Sequence, residues 1–418
     1  MFRKARLITA MFLMPVLLVS VAGTRPADAA PATQAGPQKW TIMNGQAITT
    51  TEGEKPAWQA LKFYTEEITI AAGDTITWKH NSLQEPHNVV FLGPQTTIPE
   101  DPMVEPPAGG QGEPRLAVNP LLLFPQGGNT YDGTAYTGSG FMAVGLPGPM
   151  EYSLTFPKAG TYTYLCSIHS GQLPDGTIVG MVGKVTVMAA GSALPMTPAQ
   201  VQAEATSQME ADVQKAKQLE PQAKQSTMSS TAGPNGTTVY HVMSGYVDRQ
   251  AKLEYQRFID EDITINVGDT VEWTSASFHT VTFGEEPELV QFEPQPQGPP
   301  KVYYNPMAYA PIGGPVHQGN GYYNSAFLVE GPLPPGAPPI LADKYSLTFS
   351  QPGRYEYICI PHYQLGMDGT ITVRTSGGQP GMPRTGGSMI EMLWALSALA
   401  ALALGISGFA LRRHRARG

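Results

Sequence analysis

Short runs in which apolar residues alternate with threonine, serine or lysine recur along the chain, and they predict strands. Ile68-Thr-Ile-Ala-Ala-Gly-Asp-Thr-Ile-Thr-Trp78 is one such run, with Gly73-Asp74 marking a tight turn between two strands. Tyr152-Ser-Leu-Thr-Phe-Pro-Lys-Ala-Gly-Thr-Tyr-Thr-Tyr-Leu-Cys166 is another, broken around Pro157 to Gly160, and Met181-Val-Gly-Lys-Val-Thr-Val187 follows it. The pattern then repeats. Trp40 to Gly45 returns as Tyr240 to Gly245, Ile68 to Trp78 as Ile263 to Trp273, and Tyr152 to Cys166 as Tyr345 to Cys359. With 45 glycines and 39 prolines punctuating these runs, the sequence predicts an all-β chain built from two copies of one domain, residues 38–188 and 237–375.

Between the copies, residues 189–236 change character. Thr197-Pro198 has the form of an N-cap followed by proline at the first helical position, and Ala199 to Glu220 is rich in Ala, Gln, Glu and Lys, so a helical linker is expected, ended by Pro221. Each copy also carries a Pro/Gly-rich insertion, residues 92–148 with the apolar patch Leu121-Leu-Leu-Phe124, and the stretch around Pro294 to Pro339. Insertions of this length are functional or irregular.

The termini read as address signals. Residues 1–29 combine Arg3, Lys4 and Arg6 with an apolar stretch and Ala27-Asp-Ala29, the form of a signal peptide; an uncleaved anchor is the alternative. Residues 392–411 are apolar and long enough to span a bilayer, and 412–418 form a basic tail expected to stay in the cytoplasm. The linker 376–391 holds Met382-Pro-Arg-Thr-Gly386, similar to a sortase signal, so the surface protein is either membrane-anchored or wall-attached. Residues 1–29 and 389–418 each carry a net charge of +3, and without them the stated −8 becomes −14. An acidic exterior speaks against nucleic acid and for redox partners of the cell envelope with a basic docking face.

Chemistry concentrates at the two cysteines. Cys359, His362 and Met367 offer a thiolate, an imidazole and a thioether within nine residues, with His279 upstream as a fourth ligand. Cys166, His169 and Met181 repeat the set, with His87 upstream; the cysteines and the histidines after them are offset by 193 residues, the upstream histidines by 192. Soft sulfur with imidazole, and methionine held farther away, suits copper in an electron-transfer site. A Cys166–Cys359 disulfide is the competing reading of two cysteines in an exported chain. His80, His241 and His317 do not recur between copies and read as structural.

At these residues the sequence resembles the cupredoxins, the plastocyanin-like blue copper proteins, whose ligands are an upstream histidine and a Cys…His…Met loop. The loop Cys359-x-x-His362-x-x-x-x-Met367 has plastocyanin's spacing, whereas eleven residues separate His169 from Met181, leaving Gln172 as a rival axial ligand. The resemblance implies two Greek-key β-sandwiches and two type 1 copper ions. It also implies that His169 and His362 are partly exposed and form the port for electrons. Multicopper oxidases and copper nitrite reductases resemble a different pattern, with histidine beside the blue-copper cysteine. Here Leu165, Ser167, Ile358 and Ile360 flank the cysteines. An extracytoplasmic electron carrier is therefore expected and no enzyme; surface copper delivery is the first alternative, a two-domain copper enzyme the second.

Overall fold

A computed structural model of the chain describes residues 36–107, 110–112, 114–146, 148–225, 229–333 and 340–375. The expected signal peptide 1–29, the Met382 to Gly386 motif, the apolar run 392–411 and the tail 412–418 lie outside the described residues. Among the described residues no helix is long and apolar enough to cross a membrane.

The fold is mostly β, and each copy is a sandwich. In the first, Trp58–Tyr64, Lys39–Ile48, Thr75–His80 and Glu151–Thr155 form one layer; Glu67–Ala71, Ile178–Met188, Gly160–Gln172, Val90–Phe91 and Thr137–Gly138 form the other. The tight turn predicted at Gly73-Asp74 is a corner between the layers, because Glu67–Ala71 pairs in parallel with Ile178–Met188 while Thr75–His80 pairs in parallel with Lys39–Ile48. Alternation explains why: Ile68 and Ile70 point inward from one layer, Ile76 and Trp78 from the other, and all four are buried in one core. Asp74 pins the corner, its carboxylate accepting from Ala71 N at 3.0 Å, Gln38 N at 2.7 Å and Trp40 Nε1 at 2.9 Å. Asp269 does the same in the second copy, taking Asn266 N and Thr238 N, both at 2.8 Å.

The two copies are fused edge to edge. Trp58–Tyr64 and Leu253–Ile259 would each be an open sheet edge, and they pair antiparallel with Ala60 opposite Leu253, Gln59 opposite Glu254 and Trp58 opposite Tyr255. One ten-stranded sheet thus runs through both domains. Gln59 and Glu254 hold equivalent places in the two copies, since Ala47 faces Gln59 and Val247 faces Glu254, so the junction has pseudo-twofold symmetry.

The helix forms where expected and runs Pro198–Lys224, three residues beyond Pro221, with the Thr197–Gln200 capping box at its start. It does not stand between the domains as a spacer. Val201, Ala205, Asp212, Ala216, Leu219 and Ala223 form its buried face. Most of these pack on Trp58, Tyr64, Leu253 and Tyr255, covering one face of the junction. Asp212 fastens it, lying 3.0 Å from Lys62 Nζ and accepting from Tyr64 Oη at 2.5 Å.

The two insertions also meet. Met103–Glu105, Arg115–Ala117, Lys301–Tyr304 and Val290–Glu293 make a four-stranded sheet, joined across the domains where Ala117 pairs with Tyr303. Leu122 and Leu123 of the apolar patch are buried with Phe141, Leu165 and Val302 of the other copy's insertion. The insertions therefore serve as a second clasp between the sandwiches.

Candidate metal centres

Sheet alternation directs side chains at the junction to two faces. Trp58, Ala60, Leu253 and Tyr255 pack with the helix. The intervening positions Gln59, Glu254 and Gln256 are buried on the opposite face. Both cysteine loops lie on that side.

In the first domain, Cys166 ends the strand pairing that breaks between Leu165 and Ser170, so residues 166–169 leave the ladder. Cys166 Sγ lies 3.5 Å from His169 Nδ1 and 3.8 Å from His87 Nδ1, and the two Nδ1 atoms are 3.0 Å apart. Cys359 repeats this in the second domain, at 3.4 Å from His362 Nδ1 and 3.7 Å from His279 Nδ1, with 3.0 Å between the nitrogens. Each set brings its three donor atoms within 4.8 Å of one another. Met181 and Met367 are fully buried in the same cores as Cys166 and Cys359. Both cysteines are free thiols, which removes the disulfide reading.

Hydrogen bonds aim these donors inward. The Asn88 and Thr280 amides donate to Cys166 and Cys359, each at 3.4 Å. His87 Nε2 is held by Ser82 Oγ and His279 Nε2 by Ser277 Oγ, both at 2.9 Å, which turns each Nδ1 toward sulfur. Ser277 in turn bonds Glu254. A one-residue register shift at Asn44/Gln46 and Ser244/Tyr246 places Gly45 and Gly245 against these histidines. A Cβ at either glycine would lie 2.3 Å from Nε2 of His87 or His279, and φ is +72° and +78°.

The loop lengths differ for a visible reason. In the second domain Ile360–Leu365 form a short 3-10 helix before Met367. In the first, the extra residues continue as a hairpin, Ser170–Gln172 against Ile178–Gly180, that projects beyond the site. Gln172 lies at its end and donates to the carbonyls of Thr96 and Gly176, so Met181 and not Gln172 shares the cysteine's core.

His362 corrects an expectation, and His169 does not. His169 stays partly exposed, 13% of its side chain, while His362 is 6% exposed, and both Nε2 atoms face the junction, where Glu85 Oε1 lies 3.1 Å from His169 and Oε2 lies 3.3 Å from His362. Gln256 Nε2 donates to Glu85 Oε2 at 2.7 Å. Burial opposes ionisation of Glu85, yet the bonds from His169 and His362 hold its carboxyl well below the usual range. Burial likewise works against an imidazolium at His169, but Cys166 and Glu85 together push it up to about 10. His87 and His279 go the other way, lowered first by burial and then by the neighbouring histidine's charge.

The remaining histidines are not part of either cluster, although the ring of His80 lies 5.8 Å from that of His87. His80 contacts the Leu83 carbonyl at 2.9 Å, His241 faces Thr231 and Glu272, and His317 stacks among Phe283, Tyr323, Phe349 and Tyr355. Glu85, Glu254, Ser82 and Ser277 were not singled out by sequence reasoning. Only Gly45 and Gly245 carried a signal, a glycine repeated at the same place in both copies.

Comparison with known proteins gives the geometry a context. A family model described as copper binding proteins, plastocyanin/azurin family, matches residues 48–113 and 341–374. Plastocyanin from Scenedesmus fuscus is 34% identical over 119 residues, 28% of this chain and 86% of its own length. The chain belongs to the plastocyanin/azurin family. Plastocyanin from Rumex obtusifolius is 33% identical over 128 residues, 31% of this chain and 89% of its own. The chain spans about half the length of chloroplastic plastocyanin from Silene latifolia subsp. alba, 53%, at 34% identity over 127 residues, 30% of this chain. Oxidized plastocyanin from Dryopteris crassirhizoma is 21% identical, with 32% of this chain and 99% of that one covered and a TM-score of 0.18.

Proposed function

We propose that the chain is an extracytoplasmic electron carrier with two type 1 copper centres, His87, Cys166, His169 and Met181 in one domain and His279, Cys359, His362 and Met367 in the other. The observation that carries this reading is the repeated cluster of two imidazole Nδ1 atoms and one buried thiol, with donors within 4.8 Å. The donor set fits copper: soft sulfur, two imidazoles and a buried thioether nearby. When bound, copper supplies one-electron chemistry between its cuprous and cupric states.

The chain supplies the rest. Ser82, Ser277 and Glu85 fix the ring orientations, and the Asn88 and Thr280 amides bond the sulfur atoms, so the donors are held before metal arrives. Such a preset cage needs little rearrangement when the charge at its centre changes. Leu165, Ser167, Ile358 and Ile360 beside the cysteines support a carrier without substrate chemistry. The acidic exterior suits a redox partner with a basic docking face, and residues 392–411 suit attachment to the plasma membrane, with wall attachment at Met382 to Gly386 as the alternative.

The test is reconstitution of the full chain with copper. Two coppers per chain, each adding an intense visible thiolate charge-transfer band that bleaches reversibly on reduction, are expected. Binding without a visible band would replace the carrier reading with copper delivery.

A further inference from the structure

The two cysteine clusters share one residue. Glu85 belongs to the first domain, yet its two oxygens are divided between His169 of its own cluster and His362 of the other. We infer that Glu85 joins the two centres into one coupled unit, acting as positioning residue for a ligand of each so that the charge at one centre is felt at the other. The inference rests on the two-copper reading above and concerns this chain's residues around those centres.

The residue type follows from the geometry. A histidine that presents Nδ1 to a metal carries its proton on Nε2, so His169 and His362 both point donors at the junction. A carboxylate accepts from both; an amide of the same size has one acceptor oxygen and turns its NH2 group toward the second donor. Burial makes the arrangement matter, since Glu85 is buried and its charge is little screened. Gln256, from the second domain, adds a third donor to the same carboxylate.

The pseudo-twofold axis accounts for there being one such carboxylate. His87 and His279 are equivalent, so the position of Glu85, two residues before His87, corresponds to Ser277. A glutamate there would add to the two carboxylates, Glu85 and Glu254, already buried at the junction. The neighbouring pair is split the same way, with Glu254 in one copy and Gln59 in the other, paired across the axis. Glu254 faces His279 at 3.4 Å and bonds Ser277, so it serves chiefly the second centre. At each of the two symmetry-related pairs of positions, one copy carries the acid and the other a neutral residue.

The test uses the full-length protein loaded with copper and reads the midpoint potentials of both centres by spectroelectrochemistry. Wild type, Glu85→Gln and Glu254→Gln are compared, and Cys166→Ser and Cys359→Ser assign each potential to its domain. Removing a negative charge beside a cupric centre disfavours the oxidised form, so Glu85→Gln is expected to raise both potentials and Glu254→Gln mainly the second. A shift confined to one centre, or none, in Glu85→Gln overturns the coupling.

If Glu85→Gln does not fold, the single-centre variants decide. Coupling requires that the potential of the remaining centre differ from its value in the two-copper protein; equal values overturn it. A wild-type protein with no visible band would instead refute the carrier reading, so the two failures are distinguishable.

Discussion

The loop from Cys166 to Met181 and the loop from Cys359 to Met367 reach the same donor geometry by different paths. The first spends its extra residues on a projecting hairpin, the second closes with a short 3-10 helix, and yet the nitrogen pairs are 3.0 Å apart in both. Both loops return through a glycine with positive φ immediately before the methionine, Gly180 at +100° and Gly366 at +94°. At Gly180 a Cβ would lie 2.3 Å from the His169 carbonyl oxygen. Donor placement is therefore set by the flanking strands, the Cys-x-x-His turn and that glycine. The length between histidine and methionine is free to vary.

The largest expected effect comes from the cysteines themselves. Cys166→Ser and Cys359→Ser should each lose one copper and about half the visible absorbance, measured as metal content and spectrum of the purified full chain; the half follows from equal, independent thiolate-to-copper bands. A variant that loses all colour, or none, would break the equivalence of the two centres.

Next come the bulge glycines. Gly45→Ala and Gly245→Ala force a side chain into the left-handed region and against a ligand histidine, a cost of about 2 kcal/mol or more. Chemical denaturation of the metal-free protein should show this loss in both variants, and each should weaken copper binding at its own domain only.

The axial positions should give smaller effects. Met181→Leu and Met367→Leu remove a weak donor that favours the cupric form, so each should raise the potential of its own centre while the visible band persists. Gln172→Ala should leave both potentials in place; if it shifts the first centre, Gln172 and not Met181 is the axial residue there. Smallest of all is the loop itself. Deleting residues 172–178 leaves four residues between His169 and Met181, matching the second domain, and the first band should survive unchanged in position.

The strands and the duplication were legible because alternation and repeated spacing are local properties of sequence. Ile68, Ile70, Ile76 and Trp78 announced a core-facing pattern, and the 193-residue offset of Cys166 and Cys359 announced a second copy. What could not be read was how the copies meet. Trp58–Tyr64 and Leu253–Ile259 look like ordinary strands, and nothing local in them says that Gln59 will lie opposite Glu254. The helix was visible from its cap and composition. Its packing was not, since Val201, Ala205 and Ala216 acquire a partner only once the two edge strands join.

The same reason hid Glu85. In sequence it is an acid before Pro86-His87; only the junction brings it to His362, 277 positions along the chain. The resemblance to single-domain relatives also pointed the wrong way for His362, because a partner domain covers what a single domain leaves open, while His169 stays partly exposed.

Anaerobic reductive titration of the copper-loaded full chain tests the central claim most directly. Two electrons per chain should bleach the visible band completely, with absorbance falling in proportion to both. Bleaching complete after one electron, or a third electron taken up by a copper that contributes no visible band, would contradict it.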